Sequence, residues 1–234
     1  MDGRFLDGFD PRAVSFQYRI SLLGTCMGPH RSYRWLFVTL AVAGLALDLG
    51  SKYGMFKWMY TPGVLRTDKE VIPGWFRFTA EFDPGKEPSD VAWVKALQTW
   101  SAPELPRVNH GALFGLGNDH KADANRVFAG ISIAATLAIL VWVTRRHTAQ
   151  DRWLCAALGL ILAGTVGNLF DRLVFGGVRD FLYFYKVEWP VFNVADCGLV
   201  CGAILLLFQA LVVPAHKPAA APATIDSVVP VAVK

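Results

Sequence analysis

Four stretches of this chain are apolar for close to the length of a membrane crossing, and that limits the fold more than any other feature. About 20 apolar residues cross the roughly 30 Å hydrocarbon core as a helix. A helix also satisfies its own backbone N–H and C=O groups where no water can. The first stretch starts at Trp35 (WLFVTLAVAGLAL) and meets charge at Asp48. The second runs from Val127 to Val143 and the third from Trp153 to Phe170. The fourth lies in VFNVADCGLVCGAILLLFQALVV, residues 191–213, and is a membrane-length apolar run from Cys197 onward. The expected fold is an all-α membrane protein with four transmembrane helices. With 53% hydrophobic and 18% charged residues, the chain is too apolar to be disordered.

Basic residues in short flanks set the orientation. The link TRRHTAQDR holds Arg145, Arg146 and Arg152 against Asp151, and Arg31 and Arg34 lead into the first span. Both flanks are expected to face the cytoplasm. Four spans then place both termini there. A long loop from about Tyr60 to Asn125 and a shorter one from Asp171 to Val194 face outward. The net charge of +4 reflects the cytoplasmic flanks. No basic stripe or recognition motif points to nucleic acid.

Residues 1–30 read as a poorly ordered extension without a removable signal peptide. Met27 opens a basic-then-apolar lead and is an expected translation start. Residues 214–234 read as a Pro/Ala-rich disordered tail. Between them, residues 31–213 form the membrane domain. In the long loop, VIPGWFRFTAEF alternates around Phe76, Phe78 and Phe82 and predicts a strand after a Pro-Gly turn. Residues 83–107 look like an inserted module. There, Ser89 or Asp90 is the expected cap of a short helix whose Trp93, Leu97 and Trp100 share a face. That face suits packing on the loop's own strand or the interfacial zone of the membrane. Cys155, Cys197 and Cys201 fall in spans, where cysteine acts as a small hydrophobe, and Cys26 lies in the polar lead. No metal set is completed around them.

Charges at membrane depth carry the functional signal, because they are costly and call for a partner or a wet cavity. Asp48 and Lys52 stand at i and i+4 on one helical face, the acid first. Only the 13 uncharged residues Trp35 to Leu47 precede Asp48, a rise of about 20 Å. Lys52 is expected to form a structural ion pair. Asp48 either braces a site or touches substrate. In GTVGNLFDRLVFGGVRDF, Gly164 and Gly167 permit close packing and Asn168 nears the outer boundary. Asp171 and Arg172 read there as a weak surface pair. Asp180 follows a Gly-Gly turn, and FLYFY with Trp189 suggests an interfacial belt. In PVFNVAD, Asn193 or Asp196 is a suitable N-cap for the fourth span. Capping explains one such residue. It does not explain Asp48, Asn109, Asn168, Asp180, Asn193 and Asp196 meeting at one boundary.

No H-E-x-x-H marks a zinc protease and no G-x-S-x-G marks a serine nucleophile. Two aspartates remain. Close carboxylates cannot both ionise readily, so they share a proton. The ionised member can take a proton from water while the protonated one polarises a carbonyl. The proton belongs to the pair, not to either acid.

The motifs LDLGSK, VIPGWFRFT, NHGALFG, GTVGNLFDRLVFGGVRDF and PVFNVAD, in this order among four hydrophobic segments, resemble the bacterial lipoprotein signal peptidase (signal peptidase II) family. The resemblance runs from about Arg34 to Val213, and its last two motifs are the specific ones. It implies an aspartic endopeptidase of the inner membrane. Such an enzyme removes signal peptides from diacylglyceryl-modified prolipoproteins, before the lipidated cysteine, at the periplasmic face. It implies Asp180 and Asp196 as the catalytic dyad. It implies Asn109, Gly111, Asn168, Arg172, Asn193 and Ala195 as residues that shape the site or bind substrate, with Asp48 and Lys52 in support. It implies a four-helix bundle with a small extracytoplasmic β-rich cradle, no metal or organic cofactor, and a lipid-modified prolipoprotein and membrane lipid as partners. One copy of the chain suffices for such a site. Two departures stand out. The insert at 83–107 separates motifs expected closer together. His110 stands where a small polar residue such as Thr is expected, and it either alters substrate contacts or, the favoured reading, merely faces solvent. Two other function classes are a proton-conducting or transporting bundle and a lipid-binding protein without chemistry. No chain of carboxylates crosses the membrane to serve the first, and both aspartates are present, against the second.

Overall fold

The computed structural model describes residues 31–111 and 121–212. The extension at 1–30, with Cys26 and Met27, and the tail at 214–234 lie outside them. Contacts divide the chain at Ser32, and every element below lies in the part from Tyr33 onward.

Among the described residues, four helices are long and apolar enough to cross a membrane. They are α1 (Arg34–Met59), α3 (Lys121–Thr144), α5 (Arg152–Phe175) and α6 (Val194–Val212). A short helix, α4 (Arg146–Gln150), forms the basic link between α3 and α5. The remaining elements gather in the 59–121 and 175–194 connections. They are the strands β1 (Arg66–Ile72), β2 (Phe76–Asp83), β3 (Leu105–Pro106) and β4 (Leu182–Tyr183), the helix α2 (Ala92–Gln98) and a 3-10 turn at Tyr185–Val187.

Helix α5 is the hub, packing on α1, α3 and α6. Small residues make this possible. A Cβ at Gly164 would run into the carbonyl of Ala195 on α6, and one at Gly167 into the Asp48 carboxylate on α1. Backbones therefore approach as closely as transmembrane packing allows. Both ends of α5 are closed. The Asp151 carboxylate accepts from the N–H groups of Trp153 and Leu154 at 2.9 and 3.0 Å. Its other oxygen accepts from Gln209 Nε2 at 3.0 Å, tying the end of α6 to the start of α5. At the far end Gly176 takes the left-handed conformation (φ 79°) that lets the chain leave a helix.

The sheet is antiparallel in the order β1-β2-β3, with β4 also paired to β2. It sits on the end of α1 through Phe56, Met59, Ala80, Phe82, Ala102 and Phe181, a buried apolar cluster. The structure moves several expectations. The predicted strand is β2, but its partner β1 is a charged strand, RTDKEVI, joined to it by a turn with Gly74 at φ 76°. The helix in the insert begins after Val91, not Ser89 or Asp90. Ser89 instead accepts from Val91 N through Oγ at 3.2 Å. Trp93 and Trp100 do not pack on the loop's strand. They stay 66% and 72% exposed, while Gln98 is buried and donates to the carbonyl of Val174 at 2.6 Å. The FLYFY run is only partly a belt. Phe181 is buried, and Leu182 and Tyr183 form β4.

Candidate active site

The predicted site residues arrive from five separate segments at the end of the bundle that carries the sheet. From α1, Asp48 and Lys52 project inward and are fully buried. From α5 come Asn168 and Arg172. The segment after α5 supplies Asp180, and the start of α6 supplies Asn193, Ala195 and Asp196. Asn109 and Gly111 come from the chain after β3.

Lys52 anchors the buried side. Its Nζ lies 2.8 Å from Asp48 Oδ2, 3.1 Å from Asn168 Oδ1 and 3.4 Å from Asp171 Oδ2. Three acceptors match the three protons of an ammonium. Asp48 turns its other oxygen to the N–H of Ala195 at 2.9 Å, pinning the first turn of α6. These contacts of Asp48 brace the start of α6. Lys52 is the structural ion-pair partner expected of it.

The amides then carry the order to the acids. Because the Asn168 oxygen faces the ammonium, its NH₂ must face the other way, where it donates to Asp196 Oδ1 at 2.9 Å. Asn193 Nδ2 donates to Asn168 Oδ1 at 3.2 Å and to Asp180 Oδ1 at 2.6 Å. Asn193 and Asp196 also cap α6 reciprocally. Asp196 N donates to Asn193 Oδ1 and Asn193 N to Asp196 Oδ2, each at 3.2 Å. This is the pattern of a capping box. Capping is therefore real here, and it fixes Asp196 Oδ2 while Oδ1 turns to Asn168. Asp180 takes a second donor, Asn109 Nδ2, on Oδ2 at 2.9 Å. Asn109 holds the N–H of Gly111 through its own oxygen at 2.9 Å. Gly111 sits at φ 83°, and a Cβ there would meet the Phe128 ring at 2.6 Å. One hydrogen-bonded chain thus runs from Lys52 through Asn168 and Asn193 to both acids.

Asp180 is held by paired backbone on both sides. Val178 and Asn109 exchange hydrogen bonds at 2.7 and 2.8 Å, and Phe181 bonds both Thr79 and Phe192 at 3.0 Å. Burial pushes the Asp180 carboxyl up to about 6, opposed by the hydrogen bonds from Asn109 and Asn193 and reinforced by the charge of Asp196.

Arg172 joins the group less directly. Its guanidinium lies over the Phe128 ring at 4.9 Å, and its Nη1 is buried without a hydrogen-bond partner among the described residues. His110 does not simply face solvent. It is half-buried, with Nδ1 2.9 Å from the carbonyl of Gly176.

Two residues outside the predicted set, Asp171 and Arg179, belong to the cluster. Asp171 and Arg172 do not form a surface pair. Asp171 is fully buried and grips Arg179, whose Nη2 and Nε lie 2.8 and 3.2 Å from its Oδ1. Its Oδ2 accepts the Arg179 N–H at 2.9 Å. The guanidinium lies over Tyr53 and Phe175 at 4.2 and 4.0 Å. Arg179 directly precedes Asp180, so this clamp fixes the backbone that presents the acid. The signal was the dipeptide Arg179-Asp180 itself, a cation placed beside a buried acid with no partner named for it.

Comparison with known proteins gives the family of the chain. A model of the peptidase A8 family, signal peptidase (SPase) II, matches residues 105–212. The chain is 38% identical over 188 residues to a lipoprotein signal peptidase of Rhodopirellula baltica, covering 74% of this chain and 70% of that one. It is 34% identical over 188 residues to a lipoprotein signal peptidase of Yersinia enterocolitica, covering 80% and 91%. A solved bacterial membrane enzyme shares the fold with a TM-score of 0.58 at 22% identity, covering 82% of this chain and 98% of the other. The chain is a multi-pass membrane protease and belongs to the lipoprotein signal peptidase (signal peptidase II) family.

Proposed function

We propose that this chain removes signal peptides from diacylglyceryl-modified prolipoproteins, cutting before the lipidated cysteine with water activated by Asp180 and Asp196. One observation carries the reading. Asn193 bonds Asp180 and caps α6 together with Asp196, so two carboxylates are joined at the mouth of a membrane bundle. In the proposed cycle one carboxylate takes a proton from water, and the water oxygen attacks the scissile carbonyl carbon. The protonated acid meanwhile donates to the carbonyl oxygen. The tetrahedral intermediate collapses, the C–N bond breaks, and the amine of the cysteine takes a proton from the pair. Asn109, Asn168 and Asn193 hold the acids in place. Asp48, Lys52 and Ala195 set the start of α6, and Gly111 and Arg172 border the site. In this reading residues 31–213 are the peptidase domain of the inner membrane, with both termini cytoplasmic and the sheet a cradle on the periplasmic face. One copy of the chain is enough.

The test is cleavage in liposomes of a lipidated prolipoprotein and its unmodified twin. The lipidated protein is expected to yield a mature chain that begins with the modified cysteine. Cleavage elsewhere, or none, would refute the reading.

The pH profile follows from Asp180. A pair that must share one proton loses it as pH rises through the carboxyl near 6, so kcat/KM should fall across that range. Asn109 opposes the shift, so Asn109→Ala should move this limb to higher pH. Stability follows the same sign. The folded carboxyl lies above its free value of 3.8, so its contribution is full below 3.8 and is lost as pH rises through about 6. Rate–pH curves of both proteins check this. A limb that stays in place in Asn109→Ala counts against it.

A further inference from the structure

A cleft of about 510 Å³ opens beside Asp180 and runs across the sheet. Asn109 and Asp180 line its inner end, and Arg66, Arg77, Arg107 and Glu81 line its floor and rim. The charges form an alternating row. Arg77 Nη1 lies 3.4 Å from Asp68 Oδ2, and Arg66 Nε lies 3.2 Å from the same oxygen. Arg66 Nη1 reaches Glu81 Oε1 at 2.9 Å, and Arg107 Nη1 reaches Glu81 Oε2 at 3.1 Å. Three guanidiniums thus share two carboxylates, and each end of the row is a cation with donors to spare. Arg107 is 73% exposed at the rim. Arg77 lies over the rings of Tyr183 and Tyr185 at 5.0 and 4.9 Å, and its Nε is buried without a hydrogen-bond partner among the described residues.

We propose that this cleft is a specificity subsite for an acidic side chain in the first few substrate residues after the modified cysteine. The proposal rests on the peptidase reading above. A signal peptide's apolar helix stays among the spans, so the chain that passes beyond the acids into an arginine-lined cleft on the sheet is the mature side. An extended segment advances about 3.3 Å per residue, so a few residues reach from Asp180 across the strands. A carboxylate arriving there meets planar donors fixed by stacking and by the acids between them. That geometry suits bidentate capture.

The experiment uses the full-length protein in liposomes. It compares lipidated substrates that carry Asp, Asn or Lys at successive positions just after the cysteine. Exposed charge pairs of this kind support about two- to five-fold differences. The wild type should therefore cleave the best Asp substrate with a KM about two- to five-fold below its Asn twin. Arg107→Gln and Arg77→Gln should bring that ratio to about one, and Arg107→Glu should favour the Lys substrate. Lys95→Gln removes an exposed charge on α2, outside the cleft lining, and should keep the wild-type ratio. An equal KM for Asp and Asn substrates in the wild type overturns the subsite, as does a ratio that survives both arginine variants. If the arginine variants respond to anionic lipid and not to the substrate residue, the cleft is a headgroup site and the proposal fails. If none of the substrates is cut, the peptidase reading fails instead.

Discussion

Asp180→Asn and Asp196→Asn should each reduce cleavage of a lipidated prolipoprotein by about 10³-fold or more while the protein still inserts and folds. General acid–base groups alone contribute about 10²- to 10⁴-fold, and the proposed mechanism places both roles on one pair. Asn keeps the size of Asp and one of its two accepting oxygens but cannot take a proton from water. At position 180 it can still accept from Asn193 or Asn109 through its one oxygen. At position 196 the cap of α6 survives if the remaining oxygen meets Asn193 N. The two losses should not add. A pair that acts as one unit is already disabled by losing either member, so the double variant should be little slower than the singles.

Lys52→Met should cause the largest loss of stability among single substitutions at this site. The ammonium stands between Asp48, Asp171 and Asn168, with both acids fully buried. Removing one partner of a buried ion pair leaves uncompensated charge and costs about 3–5 kcal/mol. Asp171 keeps Arg179, but Asp48 keeps only the Ala195 N–H. The Asn168 amide also loses one of the two donors that fix its orientation, so activity should fall together with stability. Thermal unfolding in detergent is the check. Adding Asp48→Asn to Lys52→Met should recover part of the lost midpoint, because it removes the stranded charge. A Lys52→Met midpoint equal to that of the wild type would show that the cluster does not hold the bundle together.

The spans were legible because a membrane helix must be apolar over its whole length, and few other folds require that. The acids were legible for the complementary reason. Charge at membrane depth is expensive, so Asp48, Asp180 and Asp196 stand out against their neighbours. What stayed hidden depends on distance along the chain. The charged strand β1 alternates half-buried and exposed residues, but RTDKEV carries no apolar face to show it. Asp171 sits beside Arg172 in sequence, which suggests a local pair. Its real partner, Arg179, is eight residues on, across the Gly-Gly turn, and comes into reach only once Gly176 ends α5. The short helix α2 was visible, but its docking on α5 was not. That docking rests on Gln98 and Lys86 meeting backbone carbonyls of Val174 and Phe175, and carbonyls leave no mark in a sequence. The Asn168 bridge is similar. An asparagine near a helix end looks like a polar terminus until Lys52 fixes which way its amide faces.

We propose that Asp180 and Asp196 together activate the water that cuts the substrate. Single-turnover cleavage by the wild type, Asp180→Asn and Asp196→Asn in the same liposomes, with substrate binding measured in parallel, tests it most directly. All three are expected to bind the lipidated prolipoprotein and to unfold at similar temperatures, and only the wild type is expected to release the signal peptide. Release by either variant at close to the wild-type rate would contradict it.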